Sequence, residues 1–177
     1  RGGGGSGLVG PGRARALRVL GDKKGGRTTQ RLMRHPSLFA RTRELVQRPV
    51  RLVHGVRNPY DNIASRVRNN RKLDIEAATS QHLAMVAENE RLMREAGPDC
   101  LTLRHEELVA DPHATLRRLC AHFELDAPPD WVDACAALVR PSASRSRDGA
   151  TWTTSARGAV ERGIATYAVL ADYSFDG

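Results

Sequence analysis

The 177-residue sequence predicts an α/β fold with a parallel sheet. Two observations carry this: short apolar runs at residues 16–21 (ALRVLG), 50–56 (VRLVHGV) and 100–103 (CLTL), and stretches of helical periodicity that separate them. A third is the punctuation at the boundaries, where Gly21, Pro49, Asn58-Pro59 and Gly97-Pro98 close or open elements.

Taken in order, the chain opens on RGGGGSGLVGPGR, a glycine-rich stretch read as a flexible lead-in over residues 1–15. The single domain is expected over residues 16–177, a length that suits one core. The first residue is Arg, so the expectation is a piece whose true start is missing. Residues 16–21 read as a buried strand feeding the loop DKKGGRTT, and residues 29–39 as a short helix ended or broken by Pro36. Residues 50–56 form the clearest strand. The helix that follows has a marked entry: Asn58 can cap, Pro59 suits the first helical position, and Asp61 favours the positive end of the dipole. Residues 74–96 repeat apolar letters at Ile75, Ala78, Leu83, Val86, Leu92 and Met93, an amphipathic helix. Further helices are expected after Asp111-Pro112, over 130–139, and around 156–170, the last preceded by the loop RPSASRSRDGATW.

No apolar run approaches the roughly 18 residues of a membrane span. Cys100, Cys120 and Cys135 have no CxxC spacing, which argues against a disulfide framework or a zinc site. Net charge is +8, and of 28 basic residues all but Lys23, Lys24 and Lys72 are arginine. That excess suits phosphate or sulfate oxygens, and equally an arginine-biased solvated surface. Nucleic acid is disfavoured, because aromatic stacking platforms are scarce at 5% of residues.

At the carboxyl end of a parallel strand, helix N-termini point their N–H groups outward and ligands collect. Arg57 stands at such an end, and residues 58, 61 or 62, and 65 share one side of the next helix, so Arg57, the helix N-terminus and Ser65 can converge on a phosphate-sized anion. The competing arrangement pairs Arg57 with Asp61 and leaves Ser65 in solvent.

RNPYDNIAS resembles the 3'-phosphate-binding motif of sulfotransferases, enzymes that use 3'-phosphoadenosine 5'-phosphosulfate (PAPS) as donor, in which an Arg at a strand end and a Ser eight residues on hold the 3'-phosphate. LRHEELVADPHATLRRLCAHFEL resembles the family's R-Y-E-D-L block. GDKKGG and the terminal YAVLADYSFDG fit in order, so the resemblance runs from about Leu17 to Gly177. It implies a three-layer P-loop-like parallel sheet flanked by helices, incomplete at the N-terminus, and transfer of a sulfuryl group to a hydroxyl or amine. It implies cofactor-binding roles for Arg57, Ser65, His105 (in place of the motif's tyrosine), Arg145 and Arg147. It gives the cationic catalytic role to Lys23, with Lys24 as neighbour, and no metal. Glu106 is expected to tie down its loop rather than to react. The base stays open: the family histidine two residues beyond the lysine is Gly25 here, and Asp22 is an outside candidate. The 5'-phosphosulfate loop has no counterpart in the lead-in, so inactivity of this piece is expected. A non-catalytic nucleotide- or polyanion-binding relative is the alternative. The acceptor (glycan, lipid or small molecule) stays unknown. The chain as given favours the cytoplasm, and a Golgi-type anchor fits if an N-terminal part is missing.

Overall fold

The computed structural model describes residues 19–22, 25–70, 72–142 and 145–177. Among the described residues it is a mixed helix–strand structure, 65% helical, with a parallel two-stranded sheet. In order it contains α1 (Gly25–Arg34), α2 (Leu38–Val46), β1 (Leu52–Val56), α3 (Pro59–Asn69), α4 (Ile75–Ala96), β2 (Cys100–Arg104), α5 (His105–Ala110), α6 (Pro112–His122), α7 (Pro129–Ala136) and α8 (Thr154–Thr166). Short 3-10 turns occupy Gly97–Asp99, Ser146–Gly149 and Ala168–Leu170.

β1 and β2 pair from Leu52↔Cys100 to Val56↔Arg104, so both strands end at the same level. The crossover between them is α3 and α4. Asn58 accepts a hydrogen bond from the Tyr60 N–H at 3.0 Å and Asp74 accepts from Ala77 N–H at 2.7 Å; each side-chain cap sets the start of its helix. Gly97, at φ 56°, ends α4, because the left-handed backbone there disfavours any side chain with a Cβ.

Of the stripe read on α4, Ile75, Ala78, Val86 and Leu92 are buried and Leu83 and Met93 half-buried. One cluster joins Tyr60 and Ile63 of α3, Ile75 and Ala78 of α4, and Ala156 and Val160 of α8. Where α8 crosses α4, a Cβ on Gly163 would sit 2.5 Å from Leu83 Cδ2, so any larger residue there would force the Leu83 side chain to move. A second cluster packs Leu32 of α1 and Phe39 of α2 on Leu92 and Ala96. A third sets Val56 and Val86 against Leu170 and Tyr173 of the C-terminal segment.

Three expectations change. Residues 16–18 of the first expected strand lie outside the described residues, and Val19 to Asp22 form no strand, with Leu20 87% exposed. Two strands rather than three are therefore seen among the described residues. The helix expected over 29–39 is two helices, because Pro36 cannot continue the first; α1 starts earlier, at Gly25. The last helix stops at Thr166, where Tyr167 turns extended before the 3-10 turn. The lead-in over 1–15 lies outside the described residues. All three cysteines are free thiols, and Cys120 is buried.

Candidate functional site

The level strand ends create one edge. Arg57 and His105 each stand one residue beyond the last register pair, Val56↔Arg104, so the backbone brings them to neighbouring positions at the carboxyl edge of the sheet. Both are half-buried. Ser65, also half-buried, lies on α3 seven residues past the Asn58 cap, about two turns up the same side.

The turn between β1 and α3 is held from two directions. Glu106, in the first turn of α5, accepts hydrogen bonds from Asn58 N–H at 3.0 Å and from the Tyr173 hydroxyl at 2.8 Å. Asn58 Nδ2 donates to the Ser174 carbonyl at 2.9 Å. One carboxylate thus joins both strand–helix turns to the C-terminal segment, a loop-tying part for Glu106. Burial, then the adjacent carboxylate, raises the Tyr173 hydroxyl well above the ordinary tyrosine pKa, so it stays a donor. Arg104 stacks on the Tyr173 ring at 5.0 Å and bonds Asp172 at 2.8 Å.

Asp61 is engaged elsewhere than the four-residue spacing to Arg57 suggested. Its two oxygens accept from Arg147 N–H at 2.9 Å and Arg147 Nη1 at 2.8 Å, with each residue 4% exposed. Trp152 Nε1 donates to the Arg147 carbonyl at 3.2 Å, fixing the Ser146–Gly149 turn against α3. Arg145 pairs with Asp148 at 2.9 Å and donates to the Asp176 carbonyl at 3.0 Å. Phe175 packs edge-on to Tyr60, 5.0 Å between centroids, under the Arg157 guanidinium.

Between these parts lies an open cavity of about 430 Å³, lined by Asn58, Asp61, Arg104, Glu106, Arg145, Arg147, Asp172, Tyr173 and Gly177. Of the residues expected from sequence, Arg145 and Arg147 line it; Arg57, Ser65 and His105 are not among its lining residues, although Arg57 and His105 adjoin Asn58 and Arg104, which are. Lys23 and Lys24 lie outside the described residues. Arg104, Asp172 and Tyr173 were not singled out from sequence; the signal was there for Arg104, which immediately precedes His105 in the LRHEEL block.

The α3 N-terminus differs from expectation in its donors. Asn58 and Tyr60 N–H groups are occupied by Glu106 and by the cap, and Asp61 and Glu106 already place two carboxylates at the positive end of the helix. Grip on an anion at this corner falls to guanidinium groups rather than to the dipole. Each arginine lining the cavity is in an ion pair, but the pairs are not equivalent: Arg104–Asp172 and Arg145–Asp148 reach solvent, whereas Arg147–Asp61 is buried. Exposed pairs are worth about 0–1 kcal/mol and can exchange for a ligand oxygen. The buried pair holds the loop. Among the described residues, no group of three or more His, Cys, Asp or Glu is placed to hold a metal, and no helix is long and apolar enough to cross a membrane.

The fold and this edge define an α/β domain with an arginine-lined cleft at the carboxyl ends of parallel strands. The model of the sulfotransferase family matches residues 31–129, more than half the chain and the segment holding β1, α3, β2 and the edge residues. The chain belongs to the sulfotransferase family, whose members transfer sulfuryl groups and generally use PAPS as donor. Neither the curated proteins nor the solved structures compared give a match.

Proposed function

We propose that this chain binds the donor nucleotide of a PAPS-dependent sulfuryl transfer to a hydroxyl or amine acceptor, and that Arg57 and Ser65 hold the 3'-phosphate. The observation that supports it most is the Arg57 corner: an arginine at the end of a parallel strand, a hydroxyl on the following helix, and a turn fixed between them by Asn58, Glu106 and Tyr173. The neighbouring cavity has the volume of a small-ligand site, and its two solvent-reaching arginines can turn to an anion, so the residues present fit a phosphate-bearing nucleotide.

In this reading His105 lies beside the base, Arg145 closes on the nucleotide, and Arg147, held by Asp61, positions the loop that carries Arg145. Lys23 supplies the cation beside the leaving oxygen, as the family resemblance implies. Bound here, PAPS supplies an activated sulfuryl group on a phosphate leaving group; positioning and charge stabilisation are the protein's share. The two-stranded sheet belongs, in the same reading, to a three-layer P-loop-like sheet.

Binding is the direct assay, since the sequence contains no recognisable 5'-phosphosulfate loop. Calorimetry with adenosine 3',5'-bisphosphate is expected to show saturable binding that Ser65→Ala weakens by about 10- to 100-fold, the loss of one hydrogen bond to a charged group of about 1.5–3 kcal/mol. Heat changes indistinguishable from buffer dilution would leave the fold without this ligand. The second reading, a non-catalytic polyanion-binding relative, rests on the chain's net charge of +8 and predicts binding of polyanions with no preference for the bisphosphate.

A further inference from the structure

Charge is unevenly distributed over the described residues. Residues 25–49, which contain α1 and α2, carry six arginines against one glutamate, a net +5, whereas residues 50–177 carry 16 basic against 18 acidic side chains, a net −2. All six are exposed. Elsewhere the described arginines are commonly partnered, as in Arg51–Glu124, Arg91–Glu88, Arg94–Glu90, Arg104–Asp172 and Arg118–Glu107. On α1 and α2 only Arg43 has an acidic partner among the described residues, Asp99 at 3.2 Å.

The arginines of α1 are also ordered. Arg27, Arg31 and Arg34, at i, i+4 and i+7, form one stripe about 10 Å long on the side opposite the buried Thr29 and Leu32. On α2, Arg41 and Leu45 share the side away from buried Phe39. No acidic residue occurs in α1 to neutralise the stripe.

The second, independent feature is apolar. Of the eight large apolar side chains that stand exposed among the described residues, five fall between residues 19 and 46: Val19, Leu20, Met33, Leu45 and Val46, with Leu45 79% exposed. A surface built only to hold a soluble polyanion has no use for exposed leucine, and the single aromatic of these two helices, Phe39, is buried where no nucleobase can stack on it. Arginines mixed with protruding aliphatic side chains are what an anionic bilayer surface rewards, because the guanidinium groups meet lipid phosphates and carboxylates while the aliphatic groups enter the headgroup boundary.

We infer that the α1–α2 segment docks this protein peripherally on anionic lipid surfaces, independently of the nucleotide site. The test is co-sedimentation of the full chain with vesicles of phosphatidylcholine alone and of phosphatidylcholine with about one-third phosphatidylserine, with heparin as a soluble competitor. Binding is expected to phosphatidylserine vesicles only, and to fall as salt rises. Each neutralised arginine should weaken it about 5-fold, so Arg27→Gln/Arg31→Gln/Arg34→Gln should lower partitioning about 100-fold. Leu45→Ser should weaken vesicle binding while leaving heparin binding unchanged. All four positions are exposed, and circular dichroism verifies that each variant is folded. Equal binding to both vesicle types, no effect of the triple substitution, or heparin binding without vesicle binding would each overturn the inference, the last assigning the segment to a soluble polyanion.

Discussion

Asp61 and Arg147 are 86 residues apart in sequence, yet their contact holds the Ser146–Gly149 turn to the start of α3. Replacing Asp61 with Asn keeps an acceptor for the Arg147 N–H but removes the charge opposite a guanidinium that is 4% exposed and whose Nε is already without a hydrogen-bond partner among the described residues. Removing one partner of a buried pair typically costs 3–5 kcal/mol, most of it the penalty of leaving the other charge buried. Since Asn remains able to accept, the expected loss is at the low end, about 3 kcal/mol. With a urea m-value of about 2 kcal/mol/M, the midpoint should fall by roughly 1.5 M. Fluorescence of Trp152, which donates to the Arg147 carbonyl, follows the transition from within the affected turn. Arg147→Met leaves the carboxylate buried instead and should cost a similar amount, whereas the double variant leaves no uncompensated charge. Its loss should therefore undercut the sum of the singles by at least about 1.5 kcal/mol. Single-variant losses below about 1 kcal/mol, or strict additivity, would refute the account of this pair as the loop's anchor.

Other consequences follow from the same packing. His82 is buried on α4, and burial, reinforced by the nearby Arg66, lowers its pKa from 6.5 to about 4. The unfolded chain therefore takes up a proton between these values and the folded chain does not, so stability is full above pH 6.5 and declines by up to about 3 kcal/mol as pH falls toward 4; urea titrations of His82→Gln should lack most of this slope. Glu106→Ala leaves Asn58 N–H and the Tyr173 hydroxyl without their acceptor and should cost about 2–3 kcal/mol by thermal or urea unfolding, while Glu106→Gln, which retains one acceptor oxygen, should cost about 1 kcal/mol. Equal losses for the two would mean that the carboxylate packs there without carrying the hydrogen bonds.

Much of the edge could be read from local letters. β-branched residues flanked by Pro49 and Asn58-Pro59 specify β1, and Asp74 and Gly97 bound α4, because caps and left-handed glycine act over one turn. Residues 16–21 had the same apolar look, yet Val19 and Leu20 lie exposed outside any strand, since an apolar run becomes a strand only where a neighbour pairs with it. The break expected at Pro36 within 29–39 is where the structure has it, between α1 and α2; the earlier start of α1 at Gly25 carried no cap signal. The contacts that shape the site were beyond local reading: Asp61 with Arg147, Glu106 with Tyr173 and Asn58 with Ser174 join residues 67 to 116 positions apart, and nothing in their own neighbourhoods marks the partner. For Asp61, the spacing to Arg57 even offered a nearer partner, and tertiary burial of Arg147 decided otherwise.

The central claim is that Arg57 recognises the donor's 3'-phosphate. It is tested most directly by comparing adenosine 3',5'-bisphosphate with adenosine 5'-monophosphate, by calorimetry, on the native chain and on Arg57→Ala. A charge-assisted contact of about 1.5–3 kcal/mol predicts that the native chain prefers the bisphosphate by roughly 10- to 100-fold and that the substitution abolishes the preference while leaving monophosphate binding nearly unchanged. A preference that survives Arg57→Ala intact would contradict the claim.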